Sequence, residues 1–324
     1  MKESTPRTGP YAKDPGYESL LSQLNTDLVG LAADPGLATA PQRPCVFIVG
    51  LPRCGTTLLY QVLAASGAFG YVTNLNARFY GNPAVGARVQ AVAAPLLSRG
   101  PFSFRSRGGN TASWYEPHEF GYFWERHLPL KDHHEPSEQD LAAVDVARFT
   151  GELATLEAAL GRPLLFKNLI LDFVLPFVAE VLPTARFLRI RRPLLDVACS
   201  IHAMRLEYYG SEQGWFSIRP RDYRTMSDST AADQIIHQIA ALLRALDIAR
   251  QAISDDRWLE VDYSDLCCDP HGLIHQVTAL AAIAPEPGHT ASVPSEFRPG
   301  GRAGRLPAVA DELRRALAAR GLSS

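Results

Sequence analysis

The sequence predicts an α/β protein in which a central parallel sheet is flanked by helices. Three observations carry this. Four short apolar runs, CVFIV, PLLFKN, ARFLRIRR and WLEVDY, recur between amphipathic stretches, as strands buried on both faces of a parallel sheet do. The first run passes directly into GLPRCGTT and LLYQVLAASG, a strand, a tight glycine loop and a helix. The chain has 324 residues, 46% of them apolar and 20% charged, enough for one large domain with a sizeable core.

The elements follow in order. Residues 1–43 are rich in Pro, Gly and polar residues, and form an extension packing on the core through one amphipathic helix, YESLLSQLNTDLVGLAA. The single domain, 44–324, begins with strand CVFIV and helix TTLLYQVLAAS. A short strand FGYVTNL, a helix VGARVQAVAAPLL and a glycine- and arginine-rich loop, FSFRSRGGNTASWYEPHEFGYFWERH, come next. The polar connection KDHHEPSEQD leads to one long amphipathic helix, LAAVDVARFTGELATLEAAL. Strand PLLFKN, helix ILDFVLPFVAEVL, strand ARFLRIRR and helix PLLDVACSIHAMR continue the β–α alternation. Residues 205–232 lose periodicity and mix aromatics with Arg, Gly and Ser, as a lid or acceptor loop does. A helix, TAADQIIHQIAALLRALDIARQAI, strand WLEVDY, a glycine-arginine loop and a last helix complete the chain. No internal repeat is evident.

Composition excludes several classes. A net charge of −2 offers no general basic field for nucleic acid or anionic lipid, so any anion site must be local. Apolar runs fall short of the ~20 residues that span a bilayer, and LILDFVLPFVAEVL is interrupted by Asp172, Pro176 and Glu180. The first twenty or so residues lack an apolar segment suited to a secretory signal, so a cytoplasmic location is expected. Five cysteines, an odd number with Cys267 and Cys268 adjacent, read as reduced thiols. His133 and His134 stand in a polar stretch that reads as a solvated loop, and no metal site is expected.

The loop GLPRCGTT keeps the spacing of a nucleotide-phosphate loop between Gly50 and Gly55, but Thr56 stands where such loops carry lysine. Amides of residues 53–57 and the positive end of the following helix can still cradle a phosphate, with Arg53 as the cation. The same eight residues also suit a plain βα turn.

At this point the sequence resembles the sulfotransferases that use 3′-phosphoadenosine 5′-phosphosulfate (PAPS), whose 5′-phosphosulfate loop reads P-[KR]-S-G-T-T. Pro52, Arg53, Gly55, Thr56 and Thr57 match, and Cys54 stands in place of serine. FLRIRRPLLDVACS resembles the family's 3′-phosphate segment through Arg192, Asp196, Val197, Ala198 and Ser200. LFKN places Lys167 at the family lysine near the transferred sulfuryl group. VDYSDLCCDP resembles a Y-E-D-L…D-P segment and makes Tyr263 the adenine-side contact. FRPGG resembles the late R-K-G loop over the 3′-phosphate, with Arg298 and Gly300 matching and Pro299 replacing the lysine. The resemblance runs over roughly residues 44–318. It implies a P-loop-like fold, PAPS as cofactor, PAP as product, and no metal.

The chemistry agrees. A 3′-phosphate requires a second anion site apart from the loop, and RIRRP at the carboxyl end of a parallel strand is where such sheets bind ligands. Some of Arg186, Arg189, Arg191 and Arg192 also suit a solvated face. Sulfuryl transfer needs charge stabilised on the leaving 5′-phosphate, a task for Arg53 and Lys167, and a base for the acceptor proton. The family's small-molecule branch places a histidine two residues after the strand lysine, where this chain has Leu169. WYEPHEFGYFW offers Glu116, His118 and Glu119 instead, with His118 and Glu119 the candidate catalytic bases. A helix start, with Pro117 in its first turn, is the structural alternative. His202 reads as a packed helix histidine. Trp114, Tyr115, Tyr208, Tyr209, Trp215 and Phe216 are candidates to line an acceptor pocket.

The expected partner is a small-molecule acceptor with a hydroxyl or amine, free or tethered to a carrier protein, as in secondary metabolism. A homodimer is compatible, and neither nucleic acid nor membrane is expected. Two other readings stay open: a metabolite kinase with a degenerate loop, in which WLEVD would hold metal, and a pseudo-enzyme that binds PAP but lacks a base.

Overall fold

The computed structural model describes residues 6–29, 31, 38–284, 286, 288–301, 303–305 and 307–322. Five parallel strands, β1 (Cys45–Val49), β2 (Gly70–Tyr71), β3 (Leu164–Lys167), β4 (Ala185–Arg191) and β5 (Trp258–Asp262), form one sheet in the order β2-β3-β1-β4-β5. Every residue of β1 is buried, which requires helices over both faces of the central strand. Register aligns Phe47 with Phe166 on one side and Phe187 on the other, and Phe187 with Trp258. A row of aromatic side chains therefore crosses four strands, its neighbours 5.5–6.0 Å apart. Trp124 packs edge-on against Phe47 and Phe166, and Phe149 packs against Trp124.

Twelve α-helices are described: α1 (Pro15–Val29), α2 (Thr56–Ala65), α3 (Pro83–Ala93), α4 (Gly121–His127), α5 (Glu138–Ala142), α6 (Val146–Leu160), α7 (Leu175–Val181), α8 (Leu194–Tyr209), α9 (Ala231–Ala252), α10 (Tyr263–Cys268), α11 (Pro270–Leu280) and α12 (Pro307–Ala319). Helices α8, α9 and α12 pack on one another, and α3 packs on α6. None of the described helices is long and apolar enough to cross a membrane.

Several expected boundaries move, each for a local reason. The long helix expected from residue 141 is two, because Asp145 turns out of helical geometry and caps α6 by accepting from the Arg148 amide at 3.0 Å. The helix expected over residues 170–182 starts as a 3-10 turn, Leu169–Phe173, capped by Asn168, and α7 follows with Pro176 in its first turn, where a missing N–H costs nothing. Only Gly70–Tyr71 of FGYVTNL pairs in the sheet. The irregular stretch expected from residue 205 begins at Gly210, which ends α8 in the left-handed region. It is tied down by Gln238, whose amide donates to the carbonyls of Phe216 and Ile218. His134, expected in a solvated loop, is buried, and its Nδ1 accepts from the Arg219 amide.

Candidate active site

The candidate site lies at the carboxyl ends of β1, β3, β4 and β5. Register sets the heights. Ile48 pairs with Lys167 and Val49 with Arg189, so β4 outruns β1 and carries Arg192 up beside the loop that follows β1. That loop needs its glycines. Gly50 has φ 140°, and a Cβ there would stand 2.7 Å from the Ile190 carbonyl oxygen. Gly55 has φ 109°, and its Cβ would stand 2.5 Å from the Tyr263 ring. Arg53 also has a positive φ, 70°. No side chain caps α2, so amides of its first turn are left for an anion. Thr56 and Thr57 open this helix, Thr56 buried and Thr57 half-buried. Cys54 is buried: its amide donates to the Leu51 carbonyl, and its thiol, pushed up to about 12 by burial, points into the loop interior toward the Thr56 amide. This thiol is an unreactive structural group.

Residues far apart in sequence meet around Arg192. Its guanidinium lies 4.5 Å over the Tyr263 ring, donates to the Arg53 carbonyl at 3.1 Å and donates to the Gly300 carbonyl. The Gly300 amide donates to the Tyr263 hydroxyl at 3.2 Å, and Arg53 Nε donates to Ser200 Oγ at 3.1 Å. Arg53, Arg192, Ser200, Tyr263 and Gly300 thus form one contact network drawn from a loop, a strand end and three later segments. Arg192 Nε is buried with no partner, a donor left for a ligand. Asp196 receives the Ala303 amide at 3.4 Å. Arg298 is exposed and outside the cleft lining, two residues before Gly300.

On the other side of the loop, the buried Lys167 ammonium is ion-paired with Glu119. Asn168 Nδ2 and Trp124 Nε1 both donate to the Glu119 carbonyl, at 3.0 and 3.1 Å, fixing its backbone. The Gly108–Gly109 turn sits against Glu119 and Thr57 on one face and against Tyr208 on the other. The three acid–base candidates of WYEPHEFGYFW separate here. Glu119 lines the cleft and His118 does not. Burial lowers the His118 pKa to about 4, and its Nδ1 accepts from the Phe120 amide. Glu116 is fully buried; burial pushes its pKa up, but bonds from Ser103, Ser113 and Ala112 outweigh this and hold it low. It is the anchor of the 103–113 loop. The stretch is not a helix start: Pro117 bridges Thr73, and α4 begins only after Phe120 turns through a left-handed φ of 59°.

The cleft has a volume of about 430 Å³. Of the six aromatics considered from sequence, Tyr208, Tyr209, Trp215 and Phe216 line it, while Trp114 and Tyr115 pack elsewhere. His202 packs in α8 with Nε2 3.0 Å from Glu212. Sequence reasoning passed over Arg7, Lys13, Asn168 and Arg219, which all line the cleft. It also passed over Asp172 as a group behind the loop, although a carboxylate inside the apolar run LILDF was a visible signal. Asp172 is fully buried, facing the Gly50 amide at a geometry too poor for a hydrogen bond, and burial lifts its pKa well above the carboxylate range. Among the described residues no cluster of His, Cys, Asp and Glu suits a metal ion.

The model of the sulfotransferase family matches residues 44–286, which include every segment of this site except the Arg298–Gly300 loop and the N-terminal residues. A sulfotransferase from Mycobacterium avium superposes with a TM-score of 0.58 at 13% identity, covering 97% of this chain and 86% of that one. One from Mycobacterium tuberculosis superposes with a TM-score of 0.53 at 16% identity, covering 91% and 80%. No curated protein matches in sequence.

Proposed function

This chain belongs to the sulfotransferase family, and on that premise we propose that it takes its sulfuryl group from PAPS and passes it to a hydroxyl of a small or carrier-tethered metabolite, releasing PAP. The observation that carries the choice of donor is the network joining Arg53, Ser200, Arg192, Tyr263 and Gly300 beside an uncapped helix end. Such a donor brings two phosphates on opposite sides of one adenosine, and the chain offers two matching anion sites. The residues fit in detail: a glycine cradle that a Cβ would fill, and a buried guanidinium nitrogen with no partner.

In this reading the amides of residues 53 and 55–57 and the Arg53 side chain hold the 5′ end, while Arg192, Ser200 and the Arg298–Gly300 loop hold the 3′-phosphate. The Tyr263 ring, kept against Gly55 and Arg192, forms the adenine-side wall. The donor supplies an activated sulfur that bonds to the acceptor oxygen as its bond to the 5′-phosphate oxygen breaks. Lys167 is a buried cation able to leave Glu119 and neutralise the leaving phosphate. Glu119, so freed, takes the acceptor proton. Turnover therefore starts by exchanging one ion pair for another.

Calorimetric titration with PAP, ADP and ATP, with and without Mg²⁺, tests this. PAP should bind tightest and independently of metal, and Arg192→Ala should weaken PAP by at least ~10-fold more than ADP, the loss of a charge-assisted contact. A preference for ATP that requires Mg²⁺ would overturn the donor and put a kinase in its place.

A further inference from the structure

Besides the loop and Lys167, the cleft lining holds a charged cluster made of Arg7, Lys13, Glu125 and Arg219. Around the loop, the charges acting on Cys54 are Asp172, Lys167 and Arg192. Around Glu125 of α4, those from described residues are Lys13, Arg219 and Arg7. Among the described residues, no hydrogen bond or ion pair joins Lys13 or Arg219 to the donor network, and the transfer steps above use none of this cluster.

Among the described residues there, Arg219 is the cation with neither an ion pair nor a side-chain hydrogen bond. It lines the cleft, yet the residue is only 7% exposed. Its Nε is buried with no partner, and its side chain forms no hydrogen bond or ion pair with a described residue, only packing 5.6 Å over the Tyr223 ring. Other sheltered arginines have acceptors: Arg126 pairs with Glu152, Arg205 donates to Gln234 and to the Glu212 carbonyl, and Arg257 donates to the carbonyls of Ala185, Ala179 and Leu182. Lys13 is matched by Glu18. Glu125 shares this end but makes no ion pair with a described residue, and burial raises its pKa, which weakens it as a counterion. A guanidinium does not shed its proton, so a desolvated one without an acid calls for an anion from outside.

The backbone holds Arg219 in place. Its amide donates to His134 Nδ1 and its carbonyl accepts from the His134 amide, both at 2.8 Å. Burial and the Arg219 charge push His134 down to about 3, so the ring stays neutral and Nδ1 stays an acceptor. The preceding Ile218 carbonyl is fixed by Gln238. The side chain is thus presented to the cleft by a buried clasp.

We propose that Arg219 receives an anionic group of the acceptor, a carboxylate or a phosphate ester, held apart from the hydroxyl that meets Glu119. The enzyme then selects negatively charged acceptors over neutral ones of the same shape. This rests on the assignment of the Lys167–Glu119 end to sulfuryl transfer.

The test is calorimetric binding to the full chain saturated with PAP, using two matched pairs of probes. One pair is para-hydroxybenzoate and para-hydroxybenzamide; the other is β-hydroxybutyryl phosphopantetheine and β-hydroxybutyryl pantetheine. The charged member of at least one pair should bind at least ~10-fold tighter, and the pair that discriminates identifies the source of the anion. Arg219→Met should erase the preference and Arg219→Lys should keep part of it, both with PAP affinity unchanged as the sign of an intact fold. Equal or absent binding within both pairs in the wild type, or a preference that survives Arg219→Met, would overturn the proposal. If PAP itself fails to bind, the donor reading falls, and the same comparison made without PAP still decides the role of Arg219.

Discussion

Glu119 and His118 are neighbours in sequence with opposite fates, and the difference comes from one backbone turn. Phe120 in the left-handed region aims Glu119 at Lys167, while the His118 ring folds back to accept the Phe120 amide. A linear reading could find the polar cluster in its aromatic setting but could not sort it, because Glu116, His118 and Glu119 differ only in what long-range segments bring to them. Lys167 was legible through its place at a strand end. Arg219 was not, since an arginine in an irregular stretch looks like a solvated one. If Glu119 is the base, Glu119→Gln should lower kcat by about 10²–10⁴-fold while PAP affinity changes little, whereas His118→Asn should leave kcat within a few-fold. Rapid-quench turnover of both variants decides this, and a larger loss in His118→Asn would move the base.

The loop between β1 and α2 is the element on which the proposed donor binding turns, and its glycines were readable because a strand running straight into a helix leaves no room for side chains. The sheet was legible for a related reason: buried parallel strands are continuous apolar runs, and the aromatic row Phe166, Phe47, Phe187 and Trp258 arises from their register. Helix breaks were less legible, since Asp145 and Asn168 act through side-chain capping that competes with an otherwise helical pattern. Gly55→Ala would combine a strained φ with a contact at 2.5 Å to Tyr263, displacing the ring that walls the network. PAP affinity should fall at least ~10-fold, a cost of about 1.4 kcal/mol or more. Gly161→Ala is the control: it too has a positive φ, 68°, at the end of α6, but nothing lies within 4 Å of the added Cβ. It should cost about 1 kcal/mol of stability and leave PAP binding unchanged. Equal PAP losses in both variants would mean that backbone strain alone, not the Tyr263 wall, governs the loop.

At the scale of the whole molecule, the chain uses its first described residues to finish a cleft built by residues more than a hundred positions later. Tyr11 stacks on Tyr208 at 3.8 Å, its hydroxyl donates to Glu207 at 2.5 Å and accepts from Arg107 at 3.1 Å, and the Thr8 amide donates to the Tyr208 carbonyl at 2.8 Å. This clasp carries Arg7 and Lys13 into the cleft wall. Composition pointed to an extension that packs on the core, but which part of the core is a long-range fact that no local pattern encodes. The clasp touches the end of α8 and the 107–110 turn without entering the sheet, and although Tyr11 is buried at the edge of the core, the expected outcome is local opening while the sheet stays folded. Tyr11→Ala should therefore speed tryptic cleavage after Arg7 and Lys13 by at least ~10-fold, yet lower the melting temperature by less than about 4 °C, the shift that roughly 1 kcal/mol produces in a chain somewhat shorter than this one. PAP should bind as before, because no donor-network residue contacts Tyr11. A melting temperature that falls steeply along with the cleavage resistance would instead make the N-terminal segment part of the cooperative core.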